Sequence, residues 1–336
     1  MLAGVLSWLT LATTAQQHFP KTIPPGNYSG ICHLQGDRYA VVSDKADGDG
    51  FFVFRLSIDG AAQRITQAEN LGYRSSGMPN RDMEGICYCP SSNTVFISGE
   101  ADNEVYEYTL DGKRTGRRLA MPECYKKARR NLGLESLTYD TLTARFFTTT
   151  ESPLRGDSLL RIQAFDDDLQ PAQQYLYRPD APLSRKYRHG VVELCALGDG
   201  RLLVMERQVR VPKLKLGATT VIRIYEVVPA QQPLLQKRLL TEFKTRLTLT
   251  SRKFANYEGM CAAPAPPSPP EGGTIDPTPR KTIEAPSGAV GGASPLTSTP
   301  LLLLVADSQN RQKGWLRDWW RLINYAEGYR NERTVR

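Results

Sequence analysis

The chain repeats itself, and that repeat limits its fold more than any other feature. Tyr28-Ser-Gly-Ile-Cys, Met83-Glu-Gly-Ile-Cys, Leu134-Glu-Ser-Leu-Thr, Val192-Glu-Leu-Cys-Ala and Tyr257-Glu-Gly-Met-Cys each open a unit. Successive units lie roughly 50 to 65 residues apart, which suits propeller blades with extra loop residues. Each unit continues to a second apolar run that ends in an acid: Tyr39-Ala-Val-Val-Ser-Asp44, Val95-Phe-Ile-Ser-Gly-Glu100, Phe146-Phe-Thr-Thr-Thr-Glu151, Leu202-Leu-Val-Met-Glu206 and Leu302-Leu-Leu-Val-Ala-Asp307. Third runs such as Val105-Tyr-Glu-Tyr-Thr-Leu110 and Val221-Ile-Arg-Ile-Tyr225 alternate apolar and polar residues, the period of a half-buried strand. Asp59-Gly60, Asp111-Gly112 and Asp199-Gly200 supply turns.

Up-and-down strands with radial repetition predict an all-β fold, a β-propeller with five repeats visible and five or six blades. A sixth blade has room between Glu206 and Tyr257 or between Glu100 and Glu135. A solenoid is the architectural rival, but its repeats are shorter and lack this hairpin rhythm. The segment 19–28 is expected to lend an outer strand to the last blade. The aromatic piece 315–329 reads as a final strand or a short amphipathic helix. Residues 264–300, rich in Pro, Gly and Ser, read as a low-complexity insertion at a hairpin tip, too polar to offset the entropy of ordering. Residues 18–336 are thus expected to form a single propeller domain.

Residues 1–17 combine a short apolar run with small residues around Ala15, the pattern of a signal peptide. The run is too short to span a bilayer. These features predict a secreted or periplasmic protein without a transmembrane anchor, acting as a monomer. Export permits disulfides, and Cys89 with Cys124 is a candidate bridge. Cys32, Cys87, Cys195 and Cys261 instead recur at matching repeat positions, as small buried hydrophobes do. The formal charge of +8 favours phosphate-rich partners, yet no nucleic-acid motif accompanies it, so nucleic acid is not expected as a partner.

The acids carry the functional reading. Glu84, Glu135, Glu193 and Glu258 stand at the first-strand starts, where the first unit has Ser29; Asp44, Glu100, Glu151, Glu206 and Asp307 stand at the second-strand ends. An antiparallel hairpin returns its end beside its beginning, so repetition is expected to gather these carboxylates around one mouth of the central channel. Crowded like charges need raised pKa values, basic partners, backbone N–H donors or a cation. An oxygen-only ring suits a hard cation such as calcium; with only His18, His33 and His189 in the chain, a His-rich zinc site is not expected. Alternatively, a Glu at each strand start caps backbone groups of the neighbouring blade. Arg81, Lys45, Arg207 and Arg311 adjoin the ring in sequence and are candidate substrate-binding cations for a phosphate or carboxylate ester. His189 is the candidate general base. No Gly-x-Ser-x-Gly elbow and no Gly-rich phosphate loop are present.

As an ordered set, Ser-Gly-Ile with Ser43-Asp44, Glu84-Gly-Ile with Glu100, Leu134-Glu-Ser-Leu with Thr150-Glu151, Val192-Glu-Leu-Cys-Ala with Met205-Glu206, and Tyr257-Glu-Gly-Met with Ala306-Asp307 resemble the family called "esterase-like activity of phytase". The resemblance runs over residues 27–312, the insertion aside. It implies an exported β-propeller that hydrolyses small-molecule esters or phosphate esters, with these acids as the family's repeated acidic positions. Ala306-Asp307 departs from the usual Ser-Asp, and no nucleophile carries over. Two other functions fit the same residues: a non-catalytic propeller that binds a glycan, peptide or envelope component, and a lactonase resembling the gluconolactonase propellers.

Overall fold

A computed structural model describes residues 16–60, 62–229, 232–263, 301–308 and 316–325. Gln17–His18 form β1. The first blade is β2 (Tyr28–His33), β3 (Arg38–Ser43), β4 (Gly50–Asp59) and β5 (Arg64–Ser75); the second is β6 (Met83–Cys89), β7 (Thr94–Gly99), β8 (Glu104–Thr109) and β9 (Arg114–Arg118). The third is β10 (Leu134–Asp140), β11 (Arg145–Thr150), β12 (Leu160–Phe165) and β13 (Pro171–Tyr177), and the fourth is β14 (Arg188–Ala196), β15 (Leu202–Arg210), β16 (Thr219–Val227) and β17 (Lys237–Arg246). The fifth is β18 (Asn256–Ala263), β19 (Leu301–Asp307), β20 (Trp319–Asn324) and, returning from the N-terminus, β1.

The blade number is therefore five. The stretches with room for a sixth are taken by the outer strands β8–β9 and β16–β17. The first strands form a closed ring in which β2 packs on β6 and β18, and β14 packs on β10 and β18. The ring is also closed by strand pairing out of chain order, as expected, though by Gln17 and His18, which pair with Trp320 and Trp319, and not by residues 19–28. Gln17 additionally exchanges side-chain hydrogen bonds with the backbone of Ile65; it lies inside the fold, so an export signal would have to end before it. The aromatic C-terminal piece supplies β20. Residues 1–15 and 264–300 lie outside the described residues.

Burial explains the strand sequences. Blades stack face to face, so second strands such as β3 and β19 are buried on both sides and read as unbroken apolar runs. The rim strands β5 and β9 are largely open to solvent. A separate apolar core fills each of the five gaps between neighbouring blades. Cys32, Cys87, Cys195 and Cys261 sit in those cores and all six cysteines are free; the Cys89–Cys124 bridge does not form.

At Gly30, Gly85 and Gly259 the first strands approach so closely that a side chain has no room. A Cβ on Gly30 would lie 2.3 Å from the Glu84 carbonyl oxygen, and one on Gly85 would lie 2.5 Å from the Leu137 nitrogen. That crowding is why Gly follows the acid in these motifs.

Candidate functional site: a carboxylate ring at the channel mouth

Every first strand slips register at its start: between Tyr28 and Gly30, Met83 and Ile86, Leu134 and Ser136, Val191 and Glu193, and Tyr257 and Gly259. Such a bulge re-aims the extra side chain. In three blades that side chain is Glu84, Glu135 or Glu258. The second strand then returns its acid beside it. Asp44, Glu100 and Glu151 donate their backbone N–H to the carbonyls of Asn27, Asp82 and Gly133, at 3.2, 2.8 and 2.9 Å, and Asp307 pairs with Asn256. Seven carboxylates from four blades thus meet at one mouth.

The fourth blade differs, and this corrects two expectations. Register pairs Val191 with Glu206 and Gly190 with Arg207. The ring positions in this blade are accordingly Val192 and Arg207, one residue from the expected acids, and a one-residue offset turns a side chain to the other face. Glu206 is buried away from the mouth, where it accepts hydrogen bonds from Tyr177 Oη at 2.6 Å, the Asp180 N–H at 2.9 Å and Lys237 Nζ at 2.6 Å. Glu193 takes the inner position that Gly30, Gly85, Ser136 and Gly259 occupy elsewhere. It is 1% exposed. Its Oε1 accepts the Leu194 N–H at 3.0 Å, while its Oε2 is buried with no partner in hydrogen-bond geometry. Burial pushes this carboxyl well above the usual range, against the nearby N–H groups of Leu194, Leu137 and Met260. Its charge reaches the thiols of Cys32, Cys87, Cys195 and Cys261, one from each of four blades, so Glu193 lies on the axis below the ring.

Arg207 projects into the ring. Its Nη2 lies 2.8 Å from Glu151 Oε1, its Nη1 bonds Glu258 Oε1, and Asn256 Oδ1 is 3.3 Å away. One guanidinium from the fourth blade thereby ties the third to the fifth. Burial disfavours its charge, but Glu258, Glu151 and Glu135 outweigh that and raise its pKa.

The remaining acids are under electrostatic load. Glu84 and Glu135 are pushed well above the ordinary carboxylate range, first by burial and then by neighbouring acids, Glu135 and Glu258 for the former and Glu151 for the latter. Burial also raises Asp44, Glu100 and Glu258. On the side of the ring opposite Arg207, ligand oxygens of Asp44, Asp82 and Glu84 all lie within 4.8 Å of one another, close enough to hold a metal ion. Asp44 Oδ1 is buried and has no partner in hydrogen-bond geometry among the described residues. Lys45 Nζ lies 2.9 Å from Asp44 Oδ2 and 2.6 Å from Asp82 Oδ1; the two carboxylates outweigh its partial burial and raise its pKa. An all-oxygen set with an orphaned acceptor fits a hard cation such as calcium. Sequence reasoning missed Asp82. Its signal was an acid directly before Met83, at the turn position held elsewhere by Asn27, Gly133, Gly190 and Asn256.

Of the other candidates, Lys45 and Arg207 are at the mouth. Arg81 is not a free cation: it is 6% exposed and grips Asp102 with two bonds of 2.7 and 2.8 Å, the Glu104 carbonyl at 2.8 Å and Tyr108 Oη at 3.2 Å. Those donors are spent within the second blade, on β8 and the turn before it. His189 is exposed on β14 and forms no hydrogen bond with a ring acid among the described residues. Arg311 lies outside the described residues.

The family described as "Phytase-like: Esterase-like activity of phytase" matches residues 23–270. No curated protein matches the sequence. Among solved structures, the chain is similar to a calcium structure of Trichoderma reesei carbohydrate-active enzyme family AA12, at 10% identity and a TM-score of 0.44, covering 94% of this chain and 98% of that one. It is also similar to a streptogramin B lyase, at 12% identity and a TM-score of 0.36, covering 74% and 91%. No helix among the described residues is long and apolar enough to cross a membrane.

Proposed function

This chain belongs to the phytase-like family, that of esterase-like activity of phytase, and from that membership we propose that it is an exported, metal-assisted hydrolase of esters or phosphate esters working at the mouth of the propeller. The observation that carries the reading is the meeting of Asp44, Asp82 and Glu84 oxygens within 4.8 Å, inside a ring of acids that burial makes costly to ionise without a cation.

Asp44, Asp82 and Glu84 would hold a divalent cation, calcium being the best match to their hard oxygens. Such a cation supplies Lewis-acid polarisation of an ester or phosphoryl oxygen. Lys45, 61% exposed along its side chain, binds the anionic part of the substrate. Arg207 positions Glu151 and Glu258 and keeps the far wall of the ring from collapsing outward through repulsion. Glu135, whose carboxyl is raised well above the ordinary range first by burial and then by the Glu151 charge, with Arg207 opposing, serves as the proton donor to the leaving group. Proton transfer is thereby assigned to Glu135 and not to His189, the general-base candidate of the sequence.

The test is turnover of p-nitrophenyl acetate and p-nitrophenyl phosphate, with calcium and with chelator, by the wild type and by Glu84→Gln and Asp82→Asn. A loss of at least about a hundredfold is expected in each variant and in chelator. Undiminished activity in both variants and in chelator would eliminate the reading. Lactone turnover in place of ester turnover would make the protein a lactonase, and tight binding of an envelope extract without any turnover would make it a binding propeller.

A further inference from the structure

The fourth blade does more than interrupt the ring. Arg207 and Val209 alternate along β15 so that both face one side, and Val211 continues the row just past the strand. With Leu247 and Phe254 they wall a cavity of about 130 Å³ that opens on Glu258 and Asp307 of the ring. The apolar wall is a small core of its own, in which Val209, Leu247 and Phe254 are buried. Arg188 and Lys215 line the same cavity, and among the described residues neither has an ion-pair partner. The lining is thus aliphatic and aromatic in part, carries positive charge from Arg188 and Lys215, and reaches the ring at Glu258 and Asp307.

We propose that this cavity is the substrate's second subsite and that it takes a compact apolar group, of phenyl or butyl size, attached to a phosphate monoester head. The inference rests on the hydrolase reading only for the place of the head; the apolar half stands on the cavity itself. Size sets the class, since an engineered cavity of roughly 150 Å³ accepts benzene. Charge sets the head, because two cations without an ion-pair partner among the described residues favour a dianion. A polyol carrying many phosphates would leave the apolar wall unused and dewet it without gain.

The experiment is calorimetric titration with phenylphosphonate and with methylphosphonate, non-hydrolysable ligands with the same head, each with and without calcium. Phenylphosphonate should bind at least about tenfold more tightly, the share expected from burying a ring. Val211→Trp fills the cavity from an exposed position and Ala218→Leu fills it from a buried one; either should erase the preference while leaving methylphosphonate binding unchanged, with Val211→Trp the variant expected to keep the thermal melt as well. Arg188→Ala with Lys215→Ala should weaken both ligands by the same factor. Equal affinity for the two phosphonates in the wild type, no binding of either, or a preference that survives both filling variants would overturn the proposal. Undiminished binding in the double alanine variant would overturn its anionic half. Hydrolysis of phenyl phosphate is read separately. A preference without turnover sinks the hydrolase and spares the cavity; equal KM for phenyl and methyl phosphate does the reverse.

Discussion

Four blades carry acids at the channel mouth and the fourth in order carries Val192 and Arg207, though all five share the same bulge, hairpin and register. The backbone therefore does not dictate the charge; it dictates only where a charge will point. With ten equivalent positions, a ring of acids alone would hold its members at short range in a buried setting, where repulsion is weakly screened. Placing one guanidinium in that ring gives Glu151 and Glu258 a cationic partner. The Asp44–Asp82–Glu84 side, where the cation among the described residues is the more exposed Lys45, is left with unspent acceptor capacity. The asymmetry divides one mouth into a braced half and a half open to a cation.

The strongest way to break that division is to remove the brace. Arg207 is 8% exposed, and Arg207→Met would leave two half-buried carboxylates without their cation. Breaking such a pair costs about 3–5 kcal/mol, so urea unfolding should show the midpoint falling sharply. Added calcium should restore part of the loss, because the freed acids become new ligands. A variant as stable as the wild type would mean that the bridge contributes nothing and that the two halves are equivalent.

The next effect comes from the acid that the fourth blade turns away. Glu206 accepts bonds from Tyr177, Asp180 and Lys237 behind the mouth. If its role is to lock the third blade to the fourth, Glu206→Gln should cost about 2–3 kcal/mol in the same unfolding assay while cation affinity stays as it was. A fall in cation affinity without a fall in stability would return Glu206 to the ring.

The sequence carried the architecture because the repeat is legible position by position: an acid marks the bulge in three blades, Gly stands where first strands crowd, and Cys or Thr138 follows two positions on. It carried the ring in four blades for the same reason. It misled in the fourth because Glu-Leu-Cys and Glu-Gly-Ile-Cys look alike while their acids differ by one position relative to Cys. Counting back from Cys195, as from Cys32, Cys87 and Cys261, lands on Val192; so does the shorter gap of thirteen positions between Glu193 and Glu206, against sixteen in the second and third blades. Arg81 and Arg207 could not be told apart by proximity to the acids in sequence. Only pairing separates them, since Asp102 and Tyr108 reach Arg81 across a blade and no local pattern announces them.

Glu193 offers the finest test, since it compares the axis with the mouth above it. A carboxyl raised by burial binds its proton more tightly in the folded chain than in the unfolded one. Below the ordinary value of 4.5 both states are protonated and the full contribution to stability is present. As pH rises through the raised folded value, that contribution is lost. Glu193→Gln keeps the shape, keeps an acceptor for the Leu194 N–H and puts an amide where Oε2 has no partner. The variant should match the wild type in acid and exceed it by about 1 kcal/mol toward neutrality, read as a difference in unfolding free energy against pH. A gap of constant size across that range would mean that Glu193 does not titrate on the axis. A loss of stability at neutral pH would mean that the ionised carboxylate, held by backbone N–H groups, is the favoured form, and that the axis, like the braced half of the mouth, has its charge compensated.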